Sequence, residues 1–374
     1  MTSAPLLRAP QPSGSPGPSG SHVTVWTTLR SAHLERARAD DPTVLVYQDR
    51  RDDFDEDLAA GLALQRCRTR HLPALLWRLA PDTVEINEPL MRNGVRRAAV
   101  TVAAVRLHGL LRQRRTRVVS YAIENLDPYR GDRWPSLDRA LSRFVLRSLD
   151  RFVLGTEGAR RTYRAALGLT RRRTEVRMVT ALPAPCPCPA AVRADRPTAL
   201  FLGAFDDRKG VLDVMRAWDL APSDREGPGT SPRLVVVGAG RHSDRVEAWA
   251  AGRPDVEVDV DPPRARVHQH LRDASVVVLL SRRTETWREQ VGLPIVEGLA
   301  HGCHVVTTAE TGLADWLAAH GHDVLASSAP PEVREALDRA LARAPRTEAV
   351  LSSLPQHDGR LAAARFLRAT EGMA

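Results

Sequence analysis

Short valine- and leucine-rich runs alternate with stretches of helical spacing, in two successive series, and this rhythm limits the fold more than any other feature of the chain. In the first series the runs are Val23–Trp26, Val44–Tyr47, Thr83–Ile86, Val118–Ala122, Phe152–Gly155 and Val176–Thr180. In the second they are Ala199–Leu202, Leu234–Val237, Val256–Val260, Val276–Leu280 and His304–Thr307, then a weak run near Val324 and helical text at 331–343 and 358–370. Apolar runs without polar alternation suit strands buried on both faces, and strands that alternate with helices form parallel sheets.

Pro183, Pro185, Pro187, Pro189 and Pro197 interrupt the rhythm over 181–197 and predict a hinge. The expected fold is therefore α/β, with two Rossmann-like doubly wound domains facing a central cleft, which suits a chain of 374 residues. Residues 1–22 contain 13 Pro, Ser or Gly and read as a disordered tail. The first domain is expected over 23–190 and the second over 191–345. Residues 346–374 should form a C-terminal helix that packs back on the first domain.

The net charge of +9 is uneven: residues 1–190 carry +12, residues 191–374 carry −3, and the window 92–177 alone carries +14. A half this basic suits an anionic partner, such as a lipid surface or a phosphorylated acceptor. Nucleic acid fits poorly, because aromatic residues are only 5% and do not interleave with the arginines. Arg96–Arg117 has seven arginines and no acid, with Val100, Ala103, Ala104, Leu107, Leu110 and Leu111 on one helical face. That face suits either an anionic membrane or the domain's own sheet; being short and alanine-rich, it favours the sheet. The chain has no apolar run long enough to span a bilayer and no secretory h-region, so a cytoplasmic protein is expected, with peripheral contact at the inner membrane face left open.

Cys67, Cys186, Cys188 and Cys303 are the only cysteines. Cys186-Pro-Cys188 lacks zinc-pair spacing and has no second pair nearby, so free thiols in a reducing compartment are expected, and no metal.

Lys209 is the only lysine among 54 basic residues. Ammonium is a compact point charge where guanidinium is a wide fork, so a solitary lysine is a candidate for a task arginine does poorly. It lies in Phe201-Leu-Gly203-Ala-Phe-Asp-Asp-Arg208-Lys209-Gly210-Val, which turns from the first strand of the second series into a helix. Two adjacent cations there can hold a diphosphate and stabilise its charge as it leaves. A second stretch, Glu289-Gln-Val-Gly-Leu-Pro-Ile-Val-Glu297-Gly-Leu-Ala-His-Gly302, follows a buried strand and a polar loop. Pro294 suits a first helical turn and Gly302 a helix stop, so a helix should run from about Pro294 to His301. Its N-terminus would face the carboxyl edge of the sheet, where phosphates bind. Glu289 before the helix and Glu297 one turn inside it can accept hydrogen bonds from hydroxyls on different parts of one ligand. Val237-Gly238-Ala-Gly240 lacks the third glycine of a dinucleotide fingerprint and reads as a tight turn.

Glu289-x7-Glu297 within EQVGLPIVEGLAHG resembles the signature of the family 4 retaining glycosyltransferases, and FLGAFDDRKGV resembles their diphosphate-holding loop. LVVVGAGR, DASVVVLLS and HVVTTAETGLADWL follow in the expected order. The resemblance covers residues 198–320 well and the first half poorly. It implies a GT-B fold and transfer of a sugar, with retention, from a UDP- or GDP-linked donor without metal or other cofactor. It implies that Glu289 binds donor-sugar hydroxyls and Glu297 the ribose. Backbone N–H groups of Val291, Gly292 and Leu293 would meet sugar or phosphates, with Gly203, Arg208 and Lys209 at the diphosphate. The turn Thr308–Gly312 would lie beside the phosphates, and the base near Val258–Val260.

Three departures stand out. Ala204 occupies the place of a frequent second arginine. The first domain has no glycine-rich loop after its first strand, where Trp26-Thr-Thr-Leu-Arg stands. It also lacks the family's sugar-contacting histidine, for which Glu124 and Asn125 are the candidate replacements, binding sugar or acceptor. Alternative readings are a sugar-nucleotide epimerase of the same architecture, a basic nucleic-acid-binding protein, and a catalytically silent donor-binding partner. A glycosidase ranks low, because its carboxylates flank one bond rather than one helix start.

Overall fold

In a computed structural model the valine-rich runs pair into two parallel sheets. Residues 21–369 are described, except 41, 43, 52–53, 128–135, 169–173, 189–195, 221–230 and 344–345. The first half contains β1 (His22–Val25), β2 (Thr28–Leu29), β3 (Val44–Tyr47), β4 (Asp49–Arg50), β5 (Leu64–Arg66), β6 (Thr83–Ile86), β7 (Arg117–Ala122), β8 (Arg151–Leu154) and β9 (Glu175–Met178). Seven of them form one parallel sheet in the order β5-β3-β1-β6-β7-β8-β9, and β2 pairs with β4 in a separate two-stranded ribbon. The second half contains β10 (Thr198–Leu202), β11 (Arg233–Gly238), β12 (Val256–Val260), β13 (Val276–Leu279), β14 (His304–Thr308) and β15 (Asp323–Leu325), in the order β12-β11-β10-β13-β14-β15. Each sheet is covered on both faces, and β1, β6, β8, β10, β13 and β14 are buried along their whole length. Double burial is why these strands read as apolar runs rather than alternating ones. The architecture is GT-B-like: two Rossmann-like domains.

The sequence left β5 unread, because two of the three residues in Leu64-Gln-Arg66 are polar: it is an edge strand, with one side open to water. Of the expected tail, residues 1–20 lie outside the described residues, but the last two do not fit it. His22 begins β1, and the Ser21 N–H donates to Asp82 Oδ2 at 2.8 Å.

The Val95–Arg112 helix corrects the preferred reading of its apolar face. Val95, Ala98, Ala99, Val102 and Val105 face the core, whereas Leu107, Leu110 and Leu111 are 58%, 81% and 62% exposed. Among the described residues no helix is long and apolar enough to cross a membrane.

The expected single helix over 346–374 is two: Thr347–Ser352 packs through Val350 in the core of the second half, and only the last helix, Gly359–Arg368, reaches the first half. Ala363, Phe366 and Leu367 pack on Val119 and Val153. Arg151 Nη1 donates to the Phe366 carbonyl at 2.8 Å and Arg117 Nη1 to that of Ala369 at 2.6 Å, closing the helix C-terminus. Gly359 is required here, since a Cβ would lie 2.0 Å from the Thr180 carbonyl oxygen. Leu367 is fully buried, so Leu367→Ala is expected to destabilise the protein by about 2–5 kcal/mol. Urea unfolding followed by fluorescence, with limited proteolysis of the C-terminal helix, checks this; an unchanged midpoint counts against the helix as part of the core.

Candidate functional site

In the second sheet β10 pairs with β11 on one side and β13 on the other, so consecutive loops leave in opposite directions from its carboxyl edge. Such a reversal of strand order opens the crevice in which ligands of these sheets bind. The loops at this point are 203–210, after β10, and 280–292, after β13. They are pressed together: a Cβ on Gly210, whose φ is +77°, would lie 2.4 Å from the Leu280 carbonyl oxygen, and the Arg282 N–H donates to the Arg208 carbonyl at 2.8 Å.

This packing brings the solitary lysine to the first glutamate of the motif. Lys209 Nζ lies 2.5 Å from Glu289 Oε2, which also accepts from Ser281 Oγ at 2.8 Å. Both side chains are largely buried, 17% and 9% exposed, so desolvation offsets much of their attraction, while loss of either partner would leave the other charge buried and unpaired. Trp287 forms one wall: Arg208 and Lys209 lie 4.9 and 5.1 Å from its ring centroid. Arg208 is the more exposed cation and pairs with Asp206 at 2.6 Å. It stands beside the lysine but does not share its carboxylate.

The following helix starts at Leu293, one residue before the expected start, and ends at Ala300. Gly292 precedes it with φ +85°, and a Cβ there would strike Ile295 Cδ1 at 2.9 Å. The N–H groups at a helix start have no acceptor inside the helix, so Leu293 presents one at the crevice, while Val291 is buried beneath. Gly203 lies over this start, 4.0 Å from Pro294 Cγ by its missing Cβ, although its own N–H is spent on the Val237 carbonyl. Glu297 is one turn inside the helix and pairs through Oε1 with Arg264 at 2.7 Å. Burial pushes its carboxyl up, against the pull of Arg264. Val258 sits half-buried in the edge strand β12, two strands away from β10.

Four expected ligand groups turn out to join parts of the protein to each other. Asn125 is buried and its Nδ2 donates to the carbonyls of Glu289 and Glu310, each at 3.1 Å, which ties the two halves together. Glu124 accepts from the N–H groups of Asn125 and Leu126 and, across the seam, from Gln290 Nε2 at 3.1 Å. Thr308 donates its hydroxyl to the Ser281 carbonyl at 2.5 Å, and the Gly312 N–H donates to the Gln290 carbonyl at 3.0 Å. Thr308 bonds within its own half, but for the others the reason is proximity: Gly158 and Gly312 let the halves meet so closely that a Cβ on Gly158 would lie 3.0 Å from Gly312 Cα. Polar groups on such a seam must find partners, and they find each other.

Three residues had no signal in the sequence. Trp287 and Arg264 are single residues whose roles come from tertiary neighbours. Glu88, at the carboxyl end of β6, is buried, and its Oε2 accepts from the N–H groups of Ile123 and Glu124 and from Tyr163 Oη at 2.9–3.1 Å. Burial and the adjacent Glu124 charge push its carboxyl up to about 8, against those donors. In place of a glycine-rich loop after β1, the chain forms β2, which pairs with β4 just after β3. Beyond it, two open grooves of 310 and 580 Å³ are lined by Arg66, Arg68 and Arg70, rather than by the Lys209–Glu289 pair.

Residues 196–343 match the family model for glycosyl transferases group 1. That half carries a glycosyltransferase group 1 domain. The matched region contains Lys209, Glu289 and Glu297, and no curated protein matches the chain significantly. Solved structures resemble the chain over both domains. Anabaena HepE in complex with UDP and glucose is 13% identical, with a TM-score of 0.62 over 93% of this chain and 95% of that one. The lipopolysaccharide outer core galactosyltransferase WaaB is 12% identical, with a TM-score of 0.65 over 93% and 100%. An E. coli trehalose-6-phosphate structure bound with UDP-2-fluoro glucose is 12% identical, with a TM-score of 0.63 over 94% and 99%. At these identities the likeness establishes the GT-B arrangement of the group 1 domain and its partner domain.

The raised carboxyl gives a pH test. Between an ordinary value of 4.5 and about 8, folded Glu88 keeps a proton that the unfolded chain has released, so stability falls as pH rises through that window. Glu88→Gln is expected to flatten this dependence, which urea midpoints of both proteins at pH 5 and pH 8 measure. Equal slopes in the two proteins exclude the raised carboxyl.

Proposed function

We propose that the chain is a retaining glycosyltransferase that moves a hexosyl unit from a nucleoside diphosphate sugar to an acceptor hydroxyl without a catalytic metal. The observation that carries this reading is the Lys209–Glu289 pair at 2.5 Å, set at the strand-order reversal beside a helix N-terminus. Rupture of the sugar–phosphate bond leaves negative charge on the diphosphate. A bound diphosphate can draw the Lys209 ammonium from Glu289, with Arg208 and the start of the Leu293–Ala300 helix as further fixed positive charge. Glu289 is then released to accept from sugar hydroxyls, and Glu297 from the ribose. UDP is the favoured carrier, because HepE and the E. coli structure hold UDP or a UDP sugar. The halves meet tightly at Asn125 and Gly312, which supports a site closed to water on that side.

The acceptor belongs to the basic first half. The arginine-lined grooves there suit an anionic acceptor. Leu107, Leu110 and Leu111 face outward beside Arg112, with Trp77, 39% exposed, next to them. This apolar and basic patch suits the surface of an anionic membrane and hence a lipid-linked acceptor.

Two experiments test these points. Calorimetric titration with UDP and GDP sugars is expected to detect binding of one of them. Lys209→Ala and Glu297→Ala should each weaken it about tenfold or more, since hydrogen bonds to charged groups contribute about 1.5–3 kcal/mol. Wild-type affinity in both variants removes the donor site. Sedimentation with anionic vesicles at low salt is expected to carry down the wild type and several-fold less of Leu110→Glu; equal sedimentation removes the membrane patch.

A further inference from the structure

Cys186 and Cys188 lie in the extended segment that joins the two halves, His268 lies on the Arg264–Asp273 helix, and His301 ends the Leu293–Ala300 helix. One ligand atom from each side chain falls within 4.8 Å of all the others. His268 Nδ1 is 3.5 Å from Cys188 Sγ, 4.0 Å from Cys186 Sγ and 3.2 Å from His301 Nε2. Around tetrahedral zinc, with bonds of about 2.0–2.1 Å to nitrogen and 2.3 Å to sulfur, ligand atoms stand roughly 3.3–3.8 Å apart. The two sulfurs are 2.7 Å apart. They need to part by about 1 Å to share such an ion, which a small rotation about one Cα–Cβ bond supplies.

We propose that these four side chains bind one zinc ion as a Cys2His2 site that clamps the interdomain segment to the nucleotide-binding half. The donor set is the first argument: two thiols and two imidazoles select zinc over magnesium or calcium. The second argument lies outside the cluster. His301 Nδ1 is 2.7 Å from the Glu297 carbonyl oxygen, to which it can only donate. The proton is thereby fixed on Nδ1, which leaves the Nε2 lone pair free beside His268 Nδ1 at 3.2 Å, the arrangement that metal-bound histidine uses. Charge is the third. Two thiolates cancel the ion's two positive charges, so a half-buried site carries no net charge, and the thiol protons pass to solvent on binding.

Four protein ligands leave no open coordination position, so the ion is structural and takes no part in sugar transfer. Its place still bears on the donor site. The Cys186 N–H donates to the Ala300 carbonyl at 2.8 Å, at the end of the helix that carries Glu297. His268 is one turn along its helix from Arg264, the partner of Glu297. The ion would fix both helices, and the strap between the domains, to one another. The sequence reading missed it because Cys-Pro-Cys supplies only half a ligand set, and the histidines arrive from 82 residues after Cys186 and 33 residues further on.

The test uses full-length protein purified under reducing conditions without chelator. Elemental analysis should find about one zinc per chain. Cobalt added to the stripped protein should give the visible ligand-field bands of tetrahedral cobalt and a thiolate charge-transfer band. These two measurements use the unaltered chain and do not depend on any variant folding. Competition with a chromogenic chelator should show Cys188→Ser and His268→Ala weakened about tenfold or more. Neither measurement involves a sugar nucleotide, so their outcome is separate from that of the donor titrations. Reduced wild type that takes up neither metal, or cobalt spectra unchanged in the Cys188→Ser and His268→Ala variants, overturns the proposal. So does a Cys186–Cys188 disulfide found by mass spectrometry in the protein as isolated.

Discussion

Parallel strands can pair on both sides of a central one only if the chain changes direction across the sheet, and in the second half that change falls at β10. Everything proposed about the donor follows from it. The loops after β10 and β13 must diverge there, yet Gly210 packs so closely on Leu280 that their bases stay in contact. One loop carries the solitary lysine and the other carries Glu289. Neither residue has to search for its partner, because backbone packing has already placed them.

A largely buried ion pair stabilises a fold weakly, since desolvation offsets most of the attraction. The Lys209–Glu289 pair is satisfied by Ser281 and lined by Trp287, but an apolar pair of similar volume would serve the core equally well. Its retention at a crevice, next to a helix N-terminus, is intelligible if an anionic ligand takes over the lysine. Across the seam the logic differs. Asn125, Glu124 and Gln290 bond to one another and to backbone carbonyls, so this rim serves as a joint between the domains.

The strands were legible because burial on both sheet faces leaves its mark as uninterrupted valine and leucine. β5 was not, because an edge strand needs no such pattern. The helix from Leu293 was legible from Pro294 and Gly302, which act through local backbone geometry. The exposed face of Leu107, Leu110 and Leu111 was misread, because helical spacing gives a stripe without saying which stripe meets the sheet. Glu124, Asn125 and Gly312 carried the right chemistry for a ligand, but nothing in the local sequence records that another domain lies within hydrogen-bonding distance, nor that Thr308 bonds to Ser281 of the neighbouring strand end.

By itself the sequence determined the two βα series, the break between them, the positions of both glycine-dependent loops and the identity of the one lysine. Those are properties of residues and their near neighbours, fixed by propensity, periodicity and allowed backbone angles. Only the tertiary structure decided that Lys209 meets Glu289, that Arg264 meets Glu297, that Glu88 sits buried beside another carboxylate, and that two cysteines and two histidines converge. Each of these depends on the distance between residues far apart in the chain, and such distances are set by how the sheets and helices pack.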